Sequence, residues 1–329
     1  MANPDAPPRS VPGAARGRLL WCLKAAVTIG LLGWLFTRPE IRHGLDGALH
    51  LKAGWLAAGF LSAGLGQVFA AWRWGSALRM VGLRLPWATL FRLTLIGTGA
   101  GFLSIGTLGN DAVRVALAAR RLSRSRTPLI ASIGLDHVAA FPGMLLLGLL
   151  ALHSLHGSIT VESGAGWALL GALVVFFGVG LSLRKFRPDL HGKMLRFVLD
   201  RATRRGLLRT SLISLPMLGF HFGTFLCAAR AAGVRTPAAD FMAVAGVADA
   251  VASLPISVAG LGVREKAFET LLGRWHGVPA ADAVALSLAG LGLVMIWGIA
   301  GALCLLTEPV RGQSDEPESG GTGQGASTS

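Results

Sequence analysis

Charged residues are scarce in this chain, where they make up only 15% of 329 residues. In soluble domains about a quarter of the residues are charged. More than half of the residues are apolar, and the mean hydropathy is positive. The low charge content therefore argues against an ordinary soluble domain and predicts an all-α polytopic membrane protein.

Cysteine is rarer still. The three copies, Cys22, Cys227 and Cys304, lie far apart inside apolar runs, so they fit neither a disulfide framework nor a metal site. The chain also lacks a Walker-type loop, a Gly-x-Gly-x-x-Gly fingerprint and a Gly-x-Ser-x-Gly elbow. We therefore expect no metal, no cofactor and no nucleotide hydrolysis.

The net charge of +14 comes mainly from arginines that lie between the apolar runs. This distribution is typical of the cytoplasmic loops of a membrane protein and argues against a nucleic-acid partner. Residues 1–17 and 308–329 are rich in Pro, Gly or Ser, and we expect them to be disordered tails around a transmembrane domain at 18–307.

Eight apolar segments can be marked, several of about 20 residues, the length of a spanning helix. Arginines before the first segment predict a cytoplasmic N-terminus. The eight segments are 19–36, 53–72, 88–108, 128–152, 165–183, 210–231, 239–259 and 283–307.

Segment 88–108 breaks the expected alternation of sides. The loops on both sides of it are rich in arginine, and so is the later loop 184–209. All three loops are cytoplasmic if segment 88–108 enters the membrane and returns to the same side. Its sequence "IGTGAGFLSIGTLG" has the glycines for such a bend. We therefore predict a re-entrant hairpin here.

Segment 239–259 has the same plan, an apolar run that ends in glycines and then charges. Because three spans separate the two segments, the second would enter from the opposite side. The prediction is six spanning helices plus two opposed re-entrant helices, in inverted halves at 18–152 and 165–307. Eight spans would result if both segments cross. Inverted repeats with broken helices are a recurrent plan of transporters.

Three patches, "FAAWRWGSALRMVGLRL", "GTLGNDAVRVALAARR" and "LPISVAGLGVREKAF", resemble the lysylphosphatidylglycerol synthase transmembrane-region family, a group of flippase-like membrane proteins. The resemblance implies a multi-pass protein of the bacterial cytoplasmic membrane that translocates or handles an anionic lipid or lipid-linked intermediate. No aminoacyl-transfer domain follows Leu306, so we expect no enzyme activity. The partners implied are membrane lipids, with lipid-biosynthesis enzymes as a second class.

Arg264 and Glu265 follow the glycines Gly260 and Gly262 directly. A charge in the membrane costs about 2.5–3.5 kcal/mol on insertion scales, so these two should be paired or face water. A helix that starts here would attract phosphate, and arginine offers a forked donor. We expect Arg264 to hold a headgroup and Glu265 to orient it. The alternative is a bend at the interface with solvated charges.

Further substrate-site candidates lie in the first half. Asp111 and Arg114 are three residues apart and should pair on one helical face. Asn110 or Asp111 could contact substrate or cap a helix. Arg73 lies between two tryptophans, which is typical of an interfacial belt, and the resemblance also makes it a candidate site residue.

Asp136, His137 and Asp249 are the candidate carriers of a coupled proton or ion, since nothing in the sequence supplies ATP energy. The alternative for Asp136 and His137 is a satisfied pair packed against Arg114 or Arg73. Asp249 has no local partner, which predicts a salt bridge across the bundle. His221 is expected to be a hydrogen-bonded core histidine.

Two other functions remain open. An intramembrane lipid transferase would need paired acid and base groups, for which Asp136 and His137 are the candidates. A membrane scaffold that organises lipid or cell-envelope biosynthesis would not need the charges at Arg264 and Glu265.

Overall fold

A computed structural model of the chain describes residues 51–103, 107–122, 126–154, 200–252 and 260–306. Within these ranges all regular secondary structure is helical, as predicted. The predicted segments 19–36 and 165–183 lie outside the described residues, as do both tails. The helices are α1 Ala53–Met80, α2 Trp87–Leu103, α3 Thr107–Leu122, α4 Arg126–Ser154, α5 Arg201–Ala231, α6 Ala238–Ala252, α7 Val263–His276 and α8 Ala280–Leu306.

Three of the described helices are long and apolar enough to cross a membrane, namely Ala53–Met80, Arg201–Ala231 and Ala280–Leu305. At 1.5 Å per residue each is about 40 Å long, more than the hydrocarbon core requires. Large apolar side chains on these helices face outward, including those of Leu61, Leu212 and Leu303. An outward apolar surface is what lipid contact requires, so the protein has the features of a helical membrane protein.

Helices α1 and α5 pack against each other antiparallel along their whole length. At one end the backbone N–H of Lys52 donates to the carbonyl of Ala231 (3.3 Å). Further along, Ser62 Oγ donates to the carbonyl of Phe220 (2.8 Å). The Thr210 hydroxyl then donates to Ser76 Oγ (2.9 Å). These contacts make the two helices the centre of the bundle.

Helices α2 and α3 form a first hairpin, and α6 and α7 form a second. In the first, Arg121 Nη1 donates to Thr89 Oγ1 (3.4 Å), so α3 ends where α2 begins. In the second, His276 Nε2 lies 3.6 Å from Asp240 Oδ2, so α7 ends where α6 begins. Short turns join α2 to the end of α1 and α6 to the end of α5. Because α1 and α5 are antiparallel, the two hairpins start from opposite ends of the bundle.

The two short turns have the same sequence pattern. Gly82-x-Arg84-x-Pro86 joins α1 to α2, and Gly233-x-Arg235-x-Pro237 joins α5 to α6, 151 residues later. Gly82 and Gly233 have φ of 76° and 83°, in the left-handed region that glycine tolerates best. The glycine ends each long helix, and the proline directly precedes the next helix.

Glycines bring α2 and α8 into backbone contact. A Cβ on Gly301 would collide with the backbone of Leu95, and a Cβ on Gly99 would collide with the carbonyl of Gly298. Small residues commonly allow such close approach in membrane bundles. Gly97 allows a similar close approach of α2 to α3, because a Cβ there would collide with Asn110 and Arg114.

Gly301→Ala should destabilise the protein, because the new methyl group has no space against the Leu95 backbone. Overpacking of this kind typically costs about 1–3 kcal/mol. Gly292→Ala on the same helix is the control, since its Cβ would meet nothing within 4 Å. The measurement is the thermal unfolding midpoint of the purified protein in detergent. Equal midpoints for the two variants would contradict the packing described here.

Candidate functional site

A buried ion pair between α1 and α4 anchors a first cluster of charges. Arg73 donates through Nε to Asp136 Oδ1 (2.8 Å) and through Nη2 to Asp136 Oδ2 (3.0 Å). The Asp136 side chain is 1% exposed. This two-point contact is the strongest arrangement available to an arginine and a carboxylate. Arg73 is therefore a buried partner of Asp136 and does not lie in an exposed interfacial belt.

Arg114 of α3 lies beside this pair. Its guanidinium sits 4.2 Å from the centre of the Trp74 ring. Nη1 is 3.3 Å from Asp111 Oδ1 and 3.8 Å from Asp136 Oδ2. Nε and Nη2 are buried and have no hydrogen-bond partner among the described residues. Arg114 is thus held by stacking and two carboxylates but retains unused donors.

His137 completes the first cluster, which comprises Arg73, Asp111, Arg114, Asp136 and His137. Its Nε2 lies 2.7 Å from Asp111 Oδ2, and its side chain is 53% exposed. The expected Asp111–Arg114 pair is formed. Asp136 packs against Arg73 and Arg114, which is the alternative that the sequence analysis gave to a role in proton or ion coupling. Because α3 begins at Thr107, neither Asn110 nor Asp111 is the N-cap of this helix. Asn110 Oδ1 is buried without a partner in the described part of the chain.

The start of α7 is built around Glu265, which is fully buried. Gly260 and Gly262 have φ of 75° and 80°, and Gly262 is the N-cap. Glu265 Oε2 accepts from the Gly262 N–H (2.6 Å), as in the second half of a capping box. Its Oε1 accepts from Ser287 Oγ of α8 (3.0 Å). Both carboxylate oxygens therefore already have partners, and a headgroup-orienting role for Glu265 stays a prediction.

Arg264, the second residue of α7, extends toward α6 and α5. Its Nη2 donates to Asp249 Oδ1 (3.2 Å), so Asp249 forms a salt bridge, but within the second hairpin and not across the bundle as expected. The guanidinium carbon lies 5.6 Å from the Phe225 ring centre. Nε and Nη1 are buried and unpaired within the described ranges. Arg264, like Arg114, combines an aromatic neighbour, a carboxylate and unused donors.

His221 of α5 reaches the same carboxylate from the other side. Its Nε2 lies 3.4 Å from Asp249 Oδ2. That atom is buried but makes no hydrogen bond to any residue that the structure describes. The expectation of a core histidine is wrong in that the side chain is 31% exposed, although its Nε2 contacts a carboxylate. His221, Asp249 and Arg264 form a second cluster, which the sequence spacing did not reveal.

A small cavity lies beside the second cluster, between α1, α5 and α8. Its volume is about 90 Å³, and its polar lining comes from Gln67, His221 and Thr224. Small or apolar residues line the remainder: Ala63, Gly66, Ala70, Met217 and Val294. We call it the axial cavity because it lies between the two central helices.

No group of His, Cys, Asp and Glu side chains in the described ranges is arranged to hold a metal ion. Asp136 and His137 contact different partners, since Asp136 binds Arg73 and His137 binds Asp111. The two side chains therefore do not form the acid–base pair that a transferase would need.

The model of a family described as the lysylphosphatidylglycerol synthase TM region matches residues 21–300. No curated protein matches the chain. The matched region includes every residue of both clusters.

Removal of one member of the Arg73–Asp136 pair should destabilise the protein strongly, because the other charge would be left buried and uncompensated. Such losses are typically about 3–5 kcal/mol. Arg73→Met and Asp136→Leu combined should destabilise less than either change alone. The measurement is a double-mutant cycle on thermal stability.

Lys266→Met provides the control for this cycle. Lys266 forms a partly exposed pair with Glu269 (3.1 Å), and such pairs contribute about 0–1 kcal/mol. If the Arg73 and Asp136 changes were additive, the pair would have no special energetic role.

Proposed function

Because the chain belongs to the lysylphosphatidylglycerol synthase transmembrane-region family, we propose that it moves an anionic lipid or lipid-linked intermediate between membrane leaflets. Arg264 is the proposed headgroup contact. Its Nε and Nη1 are buried and have no partner in the described part of the chain, while Asp249 binds Nη2 between them. Either free N–H group could donate a charge-assisted hydrogen bond to a phosphate oxygen.

The position of Arg264 strengthens this proposal. It lies in the first turn of α7, where the helix dipole favours a negative charge. The glycines before it allow the chain to turn sharply, and Glu265 fixes that turn through the Gly262 N–H. The headgroup contact would thus rest on a rigid helix start.

Arg114 is the proposed counterpart of Arg264 in the first half. Trp74 and Phe225, the aromatic neighbours of the two arginines, are 151 residues apart, as are the glycines of the two turns. Each arginine lies on the returning helix of its hairpin. Two such sites on opposed hairpins would serve as the two gates that alternating access requires.

The arrangement of the hairpins supports re-entry from opposite sides. The bundle end where α1 finishes and the first hairpin starts is strongly basic, which favours the cytoplasm. Nine exposed arginines lie in the segments that meet there: Arg79, Arg84, Arg120, Arg121, Arg126, Arg201, Arg204, Arg205 and Arg209. The second hairpin starts from the other end.

Cysteine labelling tests this topology with two matched pairs of exposed positions. In a background without native cysteines, Arg84→Cys and Arg120→Cys should react only with reagent on the cytoplasmic side. Arg235→Cys and Arg274→Cys should react only from the outside. If the segments cross the membrane, the members of each pair will instead react from different sides.

Arg264→Ala should slow lipid crossing in reconstituted vesicles by about 10- to 150-fold, the equivalent of charge-assisted hydrogen bonds of about 1.5–3 kcal/mol. The assay follows labelled phosphatidylglycerol and, in parallel, labelled polyprenyl phosphate. Arg274→Ala, at the exposed end of the same helix, should leave the rate unchanged. Thermal unfolding of both variants separates a lost contact from misfolding.

An unchanged rate in Arg264→Ala would contradict the headgroup contact. If no lipid class crosses even with the wild-type protein, a scaffold role is favoured instead. The proposed ion or proton coupling through Asp136, His137 and Asp249 is tested separately from the headgroup contact. It predicts lipid-crossing rates that depend on an ion gradient.

A further inference from the structure

The axial cavity lies where equivalent positions of the two halves meet. Gly66 and Met217 both line it, and so do Ala70 and His221. The members of each pair are 151 residues apart, the same separation as Gly82 and Gly233. A point flanked by equivalent residues of two antiparallel helices lies near the axis that relates them. The cavity therefore lies at the centre of the bundle, about midway along α1 and α5.

The cavity is large enough and polar enough for water. A water molecule occupies about 30 Å³ in the liquid, so 90 Å³ is room for about three. Gln67, His221 and Thr224 supply polar groups to the lining. The Thr98 hydroxyl donates to Gln67 Oε1 (3.0 Å), which orients that side chain.

His221 separates this cavity from the Asp249–Arg264 ion pair. It lines the cavity, and its Nε2 lies 3.4 Å from Asp249 Oδ2. The other carboxylate oxygen, Oδ1, accepts from Arg264. One carboxylate is thus shared between a fixed cation and a histidine, the side chain that most readily gains a proton near neutral pH.

Among the described residues, the other neighbours of His221 carry no competing charge. Helix α1 presents Gln67 to the cavity, and α8 presents Val294. Helix α4 packs against α5 about two turns away, where Ser214 donates to the carbonyl of Ala139, and its Asp136 is held by Arg73. The charged groups that face His221 are therefore Asp249 of α6 and, beyond it, Arg264 of α7.

We propose that His221 accepts a proton from water in the axial cavity and that this proton binds together with the anionic headgroup on Arg264. A hydronium ion transfers its proton to the unprotonated nitrogen of the imidazole ring and leaves as water. This inference rests on the proposed function, because it identifies the proton site that is coupled to the same headgroup contact.

Charge balance provides the reason for the coupling. Arg264 and Asp249 cancel each other, so the second cluster is neutral while His221 is neutral. A proton on His221 leaves one positive charge that is partly buried and uncompensated, and an anionic headgroup would neutralise it. By linkage, the headgroup must raise the proton affinity of His221 by the same factor by which the proton raises headgroup affinity.

The test is headgroup binding as a function of pH. Full-length protein in phosphatidylcholine nanodiscs is titrated with spin-labelled phosphatidylglycerol between about pH 5 and 8, the range in which histidine titrates. Wild-type affinity should weaken as the pH rises, by at most about tenfold per pH unit for one linked proton. His221→Gln, which keeps a polar side chain but takes no proton, should bind with an affinity independent of pH.

His276→Gln is the matched control, since His276 contacts Asp240 far from the cavity. It should keep the wild-type pH dependence. A headgroup affinity that still depends on pH in His221→Gln would overturn the proposal.

A second measurement distinguishes failure of this inference from failure of the proposed function. The imidazole resonance that disappears in His221→Gln is followed by NMR in ¹⁵N-histidine-labelled protein without added lipid. If neither phosphatidylglycerol nor polyprenyl phosphate binds at any pH, the lipid function fails. The proton site then stands only if this resonance titrates and Asp249→Asn shifts its titration. A resonance that does not titrate overturns the proton site.

Discussion

The antiparallel contact between α1 and α5 is the constraint on which the other arrangements depend. Hydrogen bonds at Lys52, Ser62 and Ser76 join the two helices from one end to the other. Each helix continues through a glycine turn into its own hairpin, so opposed central helices produce opposed hairpins. The same contact brings His221 beside the residues of α1 that line the axial cavity. The antiparallel contact therefore determines both the arrangement of the hairpins and the position of the candidate site.

The two charge clusters solve the problem of charge in an apolar bundle differently. In the first, Asp136 is bound at two points by Arg73 and has Arg114 nearby, and Asp111 is shared by Arg114 and His137. In the second, one carboxylate contacts both Arg264 and His221, and neither side chain has a full set of partners among the described residues. The Arg73–Asp136 pair is therefore a structural contact, whereas Arg114 and the second cluster keep unused polar groups that could bind a ligand.

Local spacing was enough to predict some of this arrangement. The three-residue spacing of Asp111 and Arg114 predicted their pair, and the glycines before Arg264 predicted the start of a helix. Partners that are distant in the chain could not be found in this way. Arg73 and Asp136 are 63 residues apart, and their pairing depends on how α1 packs against α4. The contact between His221 and Asp249 likewise depends on where α5 meets α6. The sequence also does not distinguish a carboxylate that caps its own helix, as Glu265 does, from one that faces a ligand.

The glycine contact between α2 and α8 has a mechanical consequence. Trp74 packs among large side chains such as Leu93 of α2 and Leu129 of α4, which can change rotamer when α1 shifts. At Gly99 and Gly301 the backbones of α2 and α8 meet directly, and Phe102 of α2 packs over Gly298. Arg92 of α2 also donates to the carbonyl of Cys304 of α8 (2.9 Å). Few side chains in this contact could absorb a displacement, so a movement of one helix is passed directly to the other.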